Sequence, residues 1–237
     1  MVIGVSIDDI KSVWADIVSM FQGAKFDSFR NLLTIDKKSK SLNKFSEAAL
    51  SDALAGMELN ADEKALVNMV SNSINSEKQY LIEFIKSSDN VSKIGEGLLS
   101  KKLPSAVIDP IVSANGGIPG SILSALGGSG LTTATEKGSY SLIINGLDAS
   151  KSGTDYFDSK TGKYTNNPVG RVSTTGHELF GHGRSLSLGR DSQQQNDAIQ
   201  TENLILRVMG KGTIQRDGTG HGNGSKVSNP SGIPGYK

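Results

Sequence analysis

Two histidines and two glutamates near the C-terminal end of the chain have side chains that could do chemistry. His177 and His182, two of only three histidines, lie five positions apart, and Glu178 directly follows the first. Glu202 lies 20 positions after His182 (202 − 182), in the stretch TENLILR, directly before the apolar run of Leu204, Ile205 and Leu206. Imidazole nitrogens and carboxylate oxygens are zinc donors, and such residues at helical spacing before a second acidic helix are typical of a hydrolytic zinc site.

The spacing of the two histidines requires an irregular helix. The segment reads HELFGHG, one residue longer than the H-E-x-x-H pattern in which both histidines share a helix face. In a regular α-helix, positions i and i+5 diverge by about 140°. A single π-type turn, with i to i+5 hydrogen bonds, restores the common face. We therefore predict a π turn here, and Gly181, which has no Cβ, makes the distortion easier.

The motif H-E-x-x-G-H resembles the variant zinc-binding motif of the dipeptidyl peptidase III family. The resemblance implies that His177 and His182 are zinc ligands, that Glu178 is the general base, and that Glu202 is the third ligand. It covers only this segment, because the family's enzymes are far longer and carry paired glutamates where this chain has TENLILR. Exopeptidase activity and substrate therefore do not transfer. The chain is similar more broadly to compact zincin-like metallopeptidases of the glutamate-ligand type found among bacterial effector and toxin domains.

Hydrolysis at a zinc site depends on imidazole and carboxylate side chains. Two imidazoles and one carboxylate leave the fourth position of a tetrahedral zinc ion for water, whose pKa falls toward ~7. A glutamate then accepts the proton and delivers it to the leaving amine. Asp191 and Asp197 are rivals to Glu202 as third ligand, and both are predicted in or beside the loop before the second helix. Arg207, at helical spacing from Glu202, could pair with a carboxylate near the metal.

Composition excludes several other classes of function. A net charge of +1 without a long basic run argues against nucleic acid as the main partner. The absence of cysteine excludes thiolate ligands and cysteine nucleophiles. Neither a signal peptide nor a transmembrane run of ~18 apolar residues is evident. Compartment and oligomeric state stay open, and export by a dedicated secretion system is compatible with this sequence.

The N-terminal third reads as helical. Apolar residues recur at three- and four-residue steps over residues 6–22, with Trp14 on the core stripe. Further helices are predicted in 26–34, in 44–57 and in 60–74, the last capped by Asn60 with Glu63 three residues on. Residues 36–43 are predicted as a solvated loop. Residues 78–86 alternate like a strand but follow a helix, and helix is the interpretation preferred here.

The elements around the histidines are a strand, a hairpin and two helices. Residues 138–147 form the clearest strand, and the resemblance implies that its edge lies along the substrate cleft. A hairpin with its turn at 159–162 contains Tyr156 and Tyr164, which either pack on the sheet or donate to an oxyanion. The first helix begins between Val172 and Thr175, with Thr174 or Thr175 as its cap, and ends near Gly189.

The sequence thus predicts an α+β fold with three regions: a helical N-terminal lobe (1–90), a zincin-like catalytic region (91–210) with a small sheet beside the active-site helix, and a glycine-rich flexible tail (211–237). His221, in that tail, is predicted to be solvated. The predicted function is zinc-dependent hydrolysis of a peptide or protein substrate. Two alternatives remain: an inert zincin-like binding module, and a secreted effector or interaction domain whose histidines are structural.

Overall fold

A computed structural model describes residues 1–101, 109–110, 112–114, 116–121, 123, 129–145, 156–219 and 226–236. It has an α+β fold, as the sequence predicted. The helices are α1 (Ile7–Met20), α2 (Asp27–Leu32), α3 (Glu47–Leu54), α4 (Ala61–Asn75), α5 (Lys93–Leu99), α6 (Arg171–Gly176), α7 (Arg184–Ser187) and α8 (Gln194–Val208). The strands are β1 (Val2–Gly4), β2 (Ile35–Asp36), β3 (Ser41–Leu42), β4 (Gln79–Lys86), β5 (Gly130–Thr135), β6 (Gly138–Asn145), β7 (Tyr156–Asp158), β8 (Lys163–Thr165) and β9 (Ile214–Arg216).

A six-stranded mixed sheet in the order β2-β3-β1-β4-β6-β5 organises the fold. Strands β1, β4 and β6 are parallel, and β5 pairs antiparallel with β6 at one end of the sheet. Because β1 and β4 come from the first 90 residues and β6 from the later part, one sheet spans the predicted boundary near residue 90. The main apolar core likewise joins residues of α1 and α4 to Leu179 and Leu204.

The preference for helix over residues 78–86 was wrong. Residues 79–86 form β4, which hydrogen-bonds to β1 on one side and to β6 along its whole length on the other. Tyr80 and Ile82 are almost fully buried, whereas Gln79 and Leu81, which alternate with them, are only partly buried. The two-residue periodicity was the correct signal, and pairing on both edges stabilises the strand.

The N-terminal helices follow their sequence signals. Asn60 accepts from the backbone of Glu63, and the Glu63 carboxylate accepts from the Asn60 N–H, which is the predicted capping box of α4. Trp14 is partly buried against the main core, and its indole N–H donates to the Leu33 carbonyl. In the segment predicted as a solvated loop, 36–43, residues 37–40 form an exposed turn, and the ends pair as a tight hairpin of β2 with β3.

A second sheet, β8-β7-β9, lies beside the histidine segment. The predicted hairpin is confirmed, with β7 and β8 joined by a turn in which Gly162 adopts φ +69°. Strand β9 comes from the region predicted to be a flexible tail and pairs with β7. No helix in the described part of the chain is long and apolar enough to cross a membrane.

Candidate active site

The histidine segment contains the predicted π turn. Helix α6 continues without a break into a π-helix over His177–Gly183, all seven residues of which are buried, and then into α7. The residue that caps the start of α6 is Gly170, which has φ +56° and gives no side-chain cap, so the prediction of a threonine cap was wrong. Thr175 lies inside α6 and donates its hydroxyl to Asp16 of α1. Gly189, with φ +69°, follows α7 as predicted.

The π turn brings the two imidazole rings together. The ring centroids of His177 and His182 are 5.0 Å apart, and the rings meet edge to face at 76°. Their exposed fractions are 3% and 7%, so both rings lie inside the protein. An extra residue in a regular helix would have separated these side chains, and the widened turn keeps them on one side of the helix.

Glu202 on α8 joins this pair. Its carboxylate is 1% exposed, and Oε2 lies 3.0 Å from Nδ1 of His177 and 3.0 Å from Nη1 of Arg216. The Tyr156 hydroxyl donates to Oε1. Burial alone would raise the pKa of Glu202, but the charges of Arg216 and His177 and the hydrogen bonds hold that pKa well below its usual range. Glu202 is therefore an ionised carboxylate at neutral pH.

The sequence did not identify Arg216 and Tyr156 as partners of Glu202. Arg216 ends β9 and Tyr156 begins β7, and these two residues are opposite each other in the second sheet. Tyr156 had been predicted to pack on the sheet or to face an oxyanion, and its buried hydroxyl instead meets Glu202. In the structure Tyr156 is buried and Phe157 is exposed, but two adjacent aromatic residues gave no sequence signal for which of them faces inward. Arg207, expected near the metal, pairs with Asp62 of α4 at 2.8 and 2.9 Å.

Glu178, the predicted general base, faces the end strand of the main sheet. The carboxylate is 5% exposed, and its Oε2 accepts from the Thr132 hydroxyl of β5 at 2.6 Å. Gly130 on the same strand allows this approach, since a Cβ there would lie 2.5 Å from Cγ of Glu178. Strand β6, which had been predicted to offer its edge to substrate, is paired on both sides, and the strand beside it at this end of the described sheet is β5.

Gly181 also has a packing role that the sequence did not reveal. A Cβ at this position would lie 2.5 Å from Cα of Ala198, so glycine allows α8 to approach the π turn closely. This close packing places Glu202, one helical turn after Ala198, next to His177.

The rival third ligands have other partners or lie at the surface. Asp197 is buried in the first turn of α8, where it accepts two hydrogen bonds of 3.0 Å from Arg190 and one of 2.7 Å from Ser185. Asp191 is exposed in a 3-10 turn before α8. His221 lies outside the described residues.

The donor types suit zinc, since two imidazoles and the carboxylate of Glu202 are buried on neighbouring helices, with His177 next to both other residues. Among the described residues, however, no three histidine, aspartate or glutamate side chains are grouped as a metal-ion site. Glu202 instead accepts hydrogen bonds from His177, Arg216 and Tyr156. The side chains therefore fit zinc in chemistry and burial, while their arrangement in this structure is a hydrogen-bonded network.

Comparison of the chain with protein-family models, with curated proteins and with solved structures found no match.

Proposed function

We propose that the protein is a zinc-dependent, zincin-like peptidase that hydrolyses peptide bonds. The observation that carries the proposal is the π turn, which sets His177 and His182 side by side, with His177 in contact with the carboxylate of Glu202. A widened turn within a helix is rare and concentrates at functional sites. The π turn occurs at two buried histidines in a helix that also contains a glutamate. This coincidence favours a functional site over a helix irregularity caused by packing alone.

His177, His182 and Glu202 are the residues that would hold zinc. When bound, zinc would lower the pKa of water and polarise the carbonyl of the substrate. The ionised state of Glu202 suits this role, because a ligand carboxylate must be deprotonated. Arg216 and Tyr156 keep that carboxylate oriented from the side of the second sheet.

Glu178 moves the proton in this proposal. Its carboxylate accepts a proton from the attacking water and delivers it to the leaving amine. Thr132 donates to Oε2 of Glu178, and this hydrogen bond fixes the orientation of the carboxylate. Gly130 leaves room for the carboxylate between β5 and the helix.

The neighbouring sheet supports a peptide or protein as the class of substrate. Strand β5 is the end strand of the described sheet, and its residue Thr132 touches the proposed base. An extended peptide could add to the outer edge of this strand by main-chain hydrogen bonds. That geometry favours an extended segment of a peptide or protein over a small rigid molecule.

A second candidate function is supported by the network itself. Glu202 receives three protein donors, and a network of this kind can rigidify a core without any metal. In that case the protein is a catalytically inert zincin-like binding module whose histidines are structural.

Metal analysis combined with hydrolysis separates the two candidates. Purified protein should carry about one zinc per chain and cleave unfolded casein, and chelation should abolish the cleavage. Glu178→Gln should keep its zinc and lose at least ~100-fold in rate, the contribution typical of a general base. His177→Ala should lose the zinc, while Glu58→Gln, at an exposed glutamate, serves as control. A wild-type protein without zinc or cleavage, and a His177→Ala variant that loses only stability, would favour the inert module.

A further inference from the structure

A tyrosine near the C-terminal end of the chain reaches the backbone of the π turn. The Tyr236 hydroxyl donates to the carbonyl of Phe180 at 2.7 Å and lies 3.2 Å from the carbonyl of Gly181. Both carbonyls belong to the widened turn between His177 and His182.

The position of this contact matters because a π turn changes the hydrogen-bond pattern of its helix. Each carbonyl in the turn pairs with the fifth residue along in place of the fourth, and the pattern must revert where the α-helix resumes. At that junction the Arg184 N–H bonds to the carbonyl of Gly181. The Tyr236 hydroxyl adds a donor from outside the helix at this junction, which favours the widened turn over a regular one.

The C-terminal segment holds Tyr236 firmly at this place. Gln200 and Asn203 of α8 donate to the carbonyls of Asn229 and Pro230 at 2.9 and 2.8 Å. The Tyr236 ring is flanked by the guanidinium groups of Arg184 and Arg190, 4.9 and 5.8 Å from its centroid.

Burial raises the pKa of Tyr236, so the hydroxyl keeps its proton and remains a donor at neutral pH.

We propose that Tyr236 is a positioning residue that stabilises the π turn and thereby sets the relative position of the two histidine rings. As a statement about zinc binding, the inference rests on the proposed function. The region predicted from sequence as a flexible tail then contributes a second group to the site, the Tyr236 hydroxyl, in addition to Arg216. The hydroxyl acts through the backbone between the histidines.

The test compares full-length wild type with Tyr236→Phe, which removes only the hydroxyl. In metal-free protein, nuclear Overhauser contacts between the His177 and His182 rings should weaken. Amide hydrogen exchange in residues 181–185 should accelerate roughly 2- to 10-fold, the factor that one hydrogen bond contributes. Ser231→Ala removes a tail hydrogen bond to Gln215 and should change neither readout. Unchanged ring contacts and exchange in Tyr236→Phe, or equal changes in Ser231→Ala, would overturn the inference.

A second readout uses cobalt(II) as a coloured substitute for zinc. Tyr236→Phe should bind cobalt roughly 2- to 10-fold more weakly and with a shifted visible absorption band, because the ligand rings are less well placed. A variant with wild-type affinity and spectrum would contradict the role in ligand positioning. If the wild-type protein binds neither metal, the proposed function fails, while ring contacts and amide exchange still decide whether Tyr236 holds the π turn.

Discussion

The guanidinium of Arg216 lies against the carboxylate of Glu202, with 3.0 Å between Nη1 and Oε2. The arginine ends β9 and the glutamate is in the middle of α8, so this pair connects the second sheet to the helix that faces the histidines. Both side chains are largely buried, at 13% and 1% exposed. Removing one member of such a pair leaves the other charge buried and uncompensated.

Arg216→Met should therefore destabilise the protein by about 3–5 kcal/mol. Urea unfolding at neutral pH, followed by circular dichroism, measures this change. Lys226→Met is the control, because Lys226 also forms an ion pair, with Asp217, but is 74% exposed. Its removal should cost no more than about 1 kcal/mol. An Arg216→Met variant as stable as this control would show that Glu202 does not depend on the arginine.

Gly130→Ala should disturb Glu178 directly. The new Cβ would lie 2.5 Å from Cγ and Oε1 of Glu178, so either β5 or the carboxylate has to move. Overpacking of this kind costs about 1–3 kcal/mol of stability, and we expect a large loss of casein hydrolysis with zinc content maintained.

Gly97→Ala is the matched control for Gly130→Ala. Gly97 is in α5, where a Cβ would meet no atom within 4 Å and no positive φ opposes alanine. This substitution should leave hydrolysis unchanged and stabilise the protein by about 0.4–1 kcal/mol. Retention of full hydrolysis by Gly130→Ala would show that Glu178 is not held as closely as the structure indicates.

Alkaline pH should destabilise the protein through three buried tyrosines. Burial raises the pKa of Tyr140, Tyr156 and Tyr236 above the ordinary value of 10.0, and the charges of Glu83, Glu202 and Asp197 respectively add to the shift. Above pH 10 the unfolded chain releases these protons while the folded chain keeps them. The stabilisation is therefore complete below about pH 10 and is lost as the pH rises beyond it, by up to about 1.4 kcal/mol per pH unit for each tyrosine.

The free energy of unfolding measured in urea between pH 8 and pH 11 tests this dependence. Tyr140→Phe should reduce the slope above pH 10 by roughly one third, since it removes one of three equivalent contributions. Tyr164→Phe should leave the slope unchanged, because Tyr164 is 53% exposed. A wild-type slope near zero over this range would contradict the assignment of the three hydroxyl groups as buried and protonated.

Local patterns were enough to predict several features of the site. The five-position separation of His177 and His182 predicted a π turn, because only a widened helix places both rings on one face. The Asn60 and Glu63 spacing predicted the start of α4, and the 159–162 turn predicted the β7–β8 hairpin. These features depend on interactions between residues close together in the chain, which a sequence displays directly.

Features that depend on distant partners were decided only by the tertiary structure. Residues 79–86 became a strand because β1 and β6 pair with both of its edges. Arg216 and Tyr156 meet at Glu202 only because β9 joins β7, and Tyr236 reaches the π turn only because the C-terminal segment crosses α8. The sequence determined which imidazole and carboxylate side chains are available as zinc donors, and it determined the π turn in the helix between the histidines. Long-range pairing decided which donors surround Glu202 and Glu178, because contacts between residues far apart leave no periodic signal in the chain.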